Sequence, residues 1–359
     1  MISEGAQALK NKAHRSVRRS YIIMGILLVV LTIATIYGLS IHQYKITFIE
    51  ACEIIYNRIA GIPIGDTYAD WFKDHMVIDM NMPRALSAIT IGIILAVCGS
   101  IMQSAVKNPL ADPYITGISS GALLGVTIYL ALGISLIPGL SDEPAIIMNA
   151  FLFALIPTAF IVTVTIFKKN MSGGMMILTG LGVMYLFSSF SSLVRYNADP
   201  ESAHAIFHWT LGMLGRADWD TIWILIAAAA VTVIVGIMIS RTLNAMTAGD
   251  NFAKSLGINV RVFRSLCLVF IALMTAVAVA FSGTIGFVGL VCPHITRVFT
   301  GANNRYVVPI SAVVGATVLS ISDIISRIIT MTGLPVGAVT ALLGAPIFMY
   351  LLIKSKTNW

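Results

Sequence analysis

The chain has 359 residues, of which 57% are hydrophobic and 11% charged, with a mean hydropathy of +0.89; a soluble domain carries about 45–50% apolar and 25% charged residues. Water is therefore excluded as the solvent for most of the surface. The absence of a GxxxxGK[ST] phosphate loop excludes a chain that itself hydrolyses ATP.

In chain order, Lys10, Lys12, Arg15, Arg18 and Arg19 precede an apolar run from Tyr21 to Ile41. That run is longer than a signal-peptide core and lacks a small-x-small cleavage site, so it reads as a retained first span. Further apolar runs bounded by charge, Pro or Gly follow; the set is 20–41, 85–106, 116–135, 145–167, 176–196, 219–240, 263–282, 286–299, 307–328 and 335–353. A span needs about 20 mostly apolar residues. The pattern predicts an all-α polytopic membrane protein of about ten transmembrane helices, whose eighth run is short enough to be re-entrant. Segments 1–19 and 354–359 are expected to be cytoplasmic ends flanking a single transmembrane domain, 20–353. The acidic stretch 42–82 reads as an ordered outer cap, and the polar stretch 241–264 as two small helices at the inner face, closed by Gly257. Cys52, Cys98, Cys267 and Cys292 show no CxxC spacing, so neither a disulfide framework nor a zinc site is expected.

Orientation follows from Lys and Arg in the short loops. With the N-terminus inside, the inner segments hold the five N-terminal bases with Lys107, Lys168, Lys169, Arg241, Lys254, Arg261, Arg264, Arg297, Arg305, Lys354 and Lys356, out of 23 in all. Lys45, Arg58, Lys73, Arg84, Arg195, Arg216 and Arg327 fall outside, while Glu4, Asp112 and Asp250 are the only acids inside. This asymmetry predicts an inner-membrane protein with both ends cytoplasmic, and it explains the net charge of +7 through membrane lipid topology without nucleic acid.

The densest motif runs through Met82-Pro83-Arg84, Gly99-Ser100-Ile101-Met102-Gln103, Asn108-Pro109-Leu110-Ala111-Asp112-Pro113 and Gly117-Ile118-Ser119-Ser120-Gly121-Ala122. Two prolines flank a polar inner turn, and small residues then let neighbouring backbones approach. An ordinary turn between helices would use the same residues. The order of these elements, continued by Trp209-Thr210-Leu211-Gly212, the 282–294 run from Ser282 to Pro293-His294, Arg305-Tyr306-Val307-Val308-Pro309, Asp323 with Arg327, Leu334-Pro335-Val336-Gly337 and Leu343-Gly344-Ala345-Pro346, resembles the FecCD family of ABC importer permeases over residues 20 to 353. That family carries iron-siderophores, haem and vitamin B12.

The resemblance implies a non-enzymatic transport subunit that binds no cofactor and pairs with a second permease as a homodimer or heterodimer. ATP and Mg would sit on two cytoplasmic ATP-binding subunits, and a substrate-binding protein would dock outside. It implies that Ala248, Gly249, Asp250, Ala253, Leu256 and Gly257 couple to the ATPase, with Asp250 standing where relatives commonly carry Glu. It implies a cytoplasmic gate at Asn108 and Leu110 and at Ser172, Gly173 and Gly174, where a tight turn would need the same glycines. Arg84 and Arg327 match arginines that hold the binding protein in the vitamin B12 importer; a third of that set is replaced here by Asn81. Without the family, these arginines read as headgroup anchors, and Asp323 with Arg327 as a local i,i+4 pair.

His204 and His208, four apart near the outer mouth, are weak metal-ligand candidates lacking an evident third ligand beyond Asp199 or Glu201. His294 reads as a buried polar group beside a proline break. An ion-coupled secondary transporter, from another class, would bury acids in mid-span, whereas nearly all acids here lie at span ends. An intramembrane enzyme would need a converging constellation, and none is present. The expected cargo is an iron chelate, siderophore or haem, because iron carriers are the more numerous in the family; a corrinoid is the alternative.

Overall fold

A computed structural model describes residues 4–41, 46–63, 65, 67–140, 142–167, 173–329 and 333–354, and these are helical without strands. The helices are α1 (Glu4–Ser40), α2 (Phe48–Ala60), α3 (Tyr68–His75), α4 (Met82–Val106), α5 (Ile118–Leu132), α6 (Asp142–Phe167), α7 (Gly173–Tyr196), α8 (Pro200–Thr210), α9 (Ile222–Ala248), α10 (Asp250–Ser255), α11 (Val260–Ser282), α12 (Val288–Thr300), α13 (Asn304–Ile329) and α14 (Val336–Lys354). A π-helical stretch, Met76–Asn81, joins α3 to α4, and a 3₁₀ turn, Pro113–Thr116, precedes α5. Each of the ten apolar runs carries a helix, and this is a multi-pass membrane protein.

The buried centre is α4, enclosed by α9, α11, α12 and α13. Small residues allow that crowding. Gly92 of α4 and Gly315 of α13 face each other so closely that a Cβ on either would collide with the other's carbonyl oxygen. A Cβ on Gly99 would likewise collide with the carbonyl of Gly289 at the start of α12. Without a hydrophobic drive between helices in lipid, such close backbone packing is a main source of association. By contrast α1 and α7 remain largely exposed, with Ile26, Val29, Ile33, Leu178, Tyr185 and Leu193 turned outward on apolar faces suited to lipid or a second chain.

The eighth run is a half-length helix: α12 has 13 residues, about 20 Å at 1.5 Å per residue, too short for about 30 Å of hydrocarbon. Gly289 rests against Gly99 and Leu95, which lie roughly 10–16 Å along α4 from its Val106 end, so α12 begins at mid-depth. Irregular backbone at that depth survives only when its polar groups are satisfied inside the protein. Met213 N donates to the Ser282 carbonyl at 2.7 Å, the Thr284 hydroxyl donates to the Thr210 carbonyl, and Ile285 N donates to the Tyr114 hydroxyl at 3.3 Å.

Two sequence boundaries need correction. The second span does not begin at 85 but continues a helical path from Tyr68 to Val106, 39 residues, roughly 58 Å long and so well beyond the hydrocarbon. The first of the two small helices expected in 241–264 is instead the end of α9, which reaches Ala248. The expected cap at 42–82 is ordered over its described residues. Thr47 and Glu50 form a reciprocal capping box on α2, Lys73 meets Glu50 at 2.5 Å and Arg58 meets Asp74 at 2.9 Å.

Gly92→Leu or Gly315→Leu should destabilise the protein by about 3 kcal/mol or more, because backbone on the other side cannot move aside. Gly182→Ala on α7, where nothing lies within 4 Å, should be neutral or stabilising by up to about 1 kcal/mol. Thermal unfolding in detergent distinguishes the two groups.

Candidate functional site

At one end of the bundle α9 stops at Ala248, and Gly249 turns the chain with φ 129° and ψ 151°, a conformation in which a side chain is strained. Six residues of α10 follow. Gly257 N donates to the Lys254 carbonyl at 2.9 Å, and the Asn259 side chain then caps α11 by accepting from Val262 N at 3.2 Å. Ala253, fully buried, seats α10 on Ala245, Met246 and Val260. Around it Phe252 is 51% and Leu256 59% exposed, and Ala248, Asn251 and Gly257 are exposed as well. A short helix thus presents an apolar knob on an otherwise polar loop.

The first residue of α10, Asp250, bridges two other elements. Its carboxylate accepts from Lys107 Nζ at 2.9 Å and from Arg264 Nη2 at 3.0 Å, while Arg264 Nε donates to the Ala105 carbonyl at 2.8 Å. Partial burial works to raise the Asp250 carboxyl, but the Lys107 hydrogen bond and the Arg264 and Lys107 charges outweigh it and hold it below the usual carboxylate range. The bridge is therefore ionised at neutral pH, and its contribution fades only as pH falls through that lowered value.

Lys107 terminates α4 in the left-handed region at φ 55°. From it the turn 108–112 runs back into the protein: the Asn108 side chain accepts from Leu110 N at 2.9 Å, Asp112 caps the 3₁₀ turn through Tyr114 N at 2.8 Å, and Tyr114 reaches Ile285 in the mid-depth junction. An unbroken set of contacts thus leads from exposed α10 to the interior. A second polar set braces the same end, with Asn244 joined to Asn303 and Asn304, and Arg297 to Ser104.

Of the coupling residues expected from sequence, Ala248, Gly249, Asp250, Leu256 and Gly257 gather on this loop. Ala253 points inward, which assigns it to seating the helix rather than to its exposed face. Asn108 and Leu110 lie one turn away through Lys107. Gly173 and Gly174 open α7, and Ser172 lies outside the described residues; further along α7, Gly180 packs against the Ile115 carbonyl next to the same turn. At the far end of the bundle Arg84 and Arg327 share Asp323, at 2.8 Å and 3.0 Å. The Asp323 side chain is 3% exposed, Arg327 10% and Arg84 27%. Arg327 also donates to the Ile41 carbonyl at 3.2 Å and to Asn81 Oδ1 at 3.3 Å. His204 and His208 are exposed on α8, and no cluster of three His, Cys, Asp or Glu suited to a metal occurs among the described residues. Asp199 is engaged in capping α8.

Sequence reasoning missed Phe252, the Lys107 and Arg264 partners of Asp250, and the Arg84 to Asp323 pair. Phe252 could have been found, being a lone aromatic on a short polar helix. The ion pairs had no local signal.

A bundle of apolar helices with a broken mid-depth junction and an ordered polar loop at one end defines a membrane permease. The chain belongs to the FecCD transport family, which matches residues 27–354. A protein of Methanocaldococcus jannaschii named as an ABC transporter permease is 38% identical, with 93% of this chain and 95% of that one covered. The hemin transport system permease protein of Yersinia pestis is 35% identical over 79% of this chain and 84% of its own. A solved inward-facing ABC transporter of metal-chelate type superposes with a TM-score of 0.79 at 28% identity, covering 92% of this chain and 99% of that one. The chain is an ABC importer permease of this family.

Asp250→Asn should raise amide hydrogen exchange in both 249–258 and 107–112 by several-fold, as loss of a half-exposed pair worth about 1 kcal/mol would. A rise confined to 249–258 would show that the Lys107 turn is held by other contacts.

Proposed function

We propose that this subunit carries an iron chelate, siderophore or haem, across the cytoplasmic membrane, driven by ATP and Mg bound on two separate subunits that dock on α10. The observation that carries the coupling assignment is the Asp250 bridge, since it ties the exposed knob of Phe252 and Leu256 to the turn holding Asn108 and Leu110. A push on α10 reaches that turn through Lys107 without an intervening flexible segment. The α10 end is cytoplasmic in this reading, with both termini on that side, as the distribution of Lys and Arg favours. The turn 108–112 and the start of α7 form the cytoplasmic gate. Permeases named for hemin, iron chelatin and iron-hydroxamate, at 34–35% identity, support an iron chelate over a corrinoid, whose named permeases are 32% identical.

A second copy of the chain pairs with this one through exposed apolar faces. A substrate-binding protein docks at the far end, chiefly on Arg84. Arg327 is less available to it, being nine-tenths buried and committed to Asp323, Asn81 and Ile41. Exposed ion pairs contribute about 0–1 kcal/mol, so Arg84→Gln, which keeps a donor toward Asp323, should weaken docking by roughly tenfold or less, whereas Arg327→Glu should lower thermal stability through an uncompensated buried cluster.

The test is reconstitution of the complex in proteoliposomes with labelled ferric siderophore, haem and cobalamin. Accumulation of cobalamin alone would overturn the iron assignment. In the same system Phe252→Ala with Leu256→Ala should release the ATP-binding subunits, and Asp250→Lys should retain them while transport falls by at least about tenfold. Normal transport by both variants would remove α10 from the coupling path.

A further inference from the structure

Helix α8 is fixed in rotation as well as position. Asp199 caps its start by accepting from Glu201 N at 3.0 Å and Ser202 N at 2.9 Å, and Pro200 occupies the first turn. Ser202 Oγ donates to the Leu130 carbonyl of α5 at 2.8 Å, and Ile206 and Trp209 are buried. With 202, 206 and 209 turned to the protein, 204 and 208 stand on the free side one turn apart. Both imidazoles are exposed there, at the end of the bundle opposite α10.

The two rings face each other through Nε2, at 3.1 Å, with centroids 4.3 Å apart and planes inclined at 61°. As a hydrogen bond this contact needs one ring to present N–H and the other a lone pair at the same ring position. Moving that proton to Nδ1 of its own ring leaves two neutral imidazoles with both Nε2 lone pairs on the facing sides. An ion bound at about 2.0–2.1 Å from each Nε2 would see them at an angle of roughly 100°, between the octahedral and tetrahedral values. The donor set is imidazole nitrogen, which suits Cu, Ni, Zn or Fe rather than Mg or Ca.

We propose that His204 and His208 form a bidentate site for a first-row transition-metal ion with two adjacent coordination positions open, whether an aquated ion or one held by an incomplete chelator. Two imidazoles on neighbouring turns supply adjacent ligands and cannot take opposite sides of a flat macrocycle, so a porphyrin iron engages at most one of them. A metal already fully wrapped by a chelator engages neither. The site therefore sorts metal species by how many positions they leave free. It stands independently of the transport assignment, because it rests on α8 alone.

The experiment uses the full chain in nanodiscs, purified without a polyhistidine tag, and titrates three probes. These are Ni²⁺ alone, Ni²⁺–nitrilotriacetate, which leaves two adjacent positions open, and Ni²⁺–EDTA, which leaves none. Binding of the first two and not the third is expected, with Cu²⁺ tighter than Ni²⁺. His204→Ala and His208→Ala should each weaken binding by roughly tenfold or more, and Cu²⁺ electron paramagnetic resonance should lose one of two coupled nitrogens in each. His208→Gln, at an exposed position, guards against a folding defect. Binding of Ni²⁺ without its nitrilotriacetate complex would assign the aquated ion as the source; binding of both assigns the incomplete chelate as well. Affinity unchanged in the double alanine variant, or equal affinity for Ni²⁺–EDTA, would overturn the site.

Discussion

Backbone contact between α4 and its neighbours is the constraint on which the rest of the structure depends. Gly92 against Gly315 and Gly99 against Gly289 bring α13 and α12 close enough that no Cβ fits between the backbones. Because α12 meets α4 only from mid-depth, the chain linking it to α11 must run through the protein interior, and its polar groups must find partners there. They do so on Thr210, Met213 and Tyr114. Close packing in one place thus dictates an irregular junction in another, and Tyr114 connects that junction to the turn above α10.

Both ends of the bundle use one carboxylate shared by two cations. Asp250 holds Lys107 and Arg264, and Asp323 holds Arg84 and Arg327. In each case the acid stands between helices that are far apart in sequence, and in each case one positive charge remains in excess. Removing the acid leaves two cations facing each other, which is more damaging than removing either base. The two clusters differ in surroundings. Asp323 is buried and ties α13 to α4 and, through Arg327, to the end of α1, whereas Asp250 is partly open and belongs to an exposed loop.

How much could be read beforehand follows from the range of each signal. Hydropathy over about 20 residues located all ten apolar helices. Spacing alone put His204 and His208 on one side of a helix. The extension of α4 back to Tyr68 was hidden because Lys73, Asp74 and Asp79 interrupt the apolar pattern, yet each is satisfied locally, by Glu50, Arg58 and His75. Ala253 read as part of the exposed loop face because a short helix gives too few residues to fix its phase. Arg84 and Asp323 are 239 residues apart, and nothing within either segment announces the other; only the folded packing of α4 on α13 does.

The π-helical stretch at Met76–Asn81 separates α3 from α4 within one continuous helix. A π turn closes i to i+5 and so holds one residue more than the ladder on either side. That extra residue advances the helical phase by about 100°, so a wheel drawn from Tyr68 straight through to Val106 misassigns the faces of one half. The stretch acts as a register spacer: it lets the cap aim Met76, Val77 and Ile78 at Leu39 and Ala51 while α4 aims its glycines at α12 and α13. Shortening the chain by one residue there would convert the spacer to ordinary α-helix and leave the cap where it is, whereas regular α-helix over the same number of residues would swing the cap by about 100° around the axis of α4. Hydrogen-bond register in this segment therefore encodes an angle between the cap and the membrane bundle.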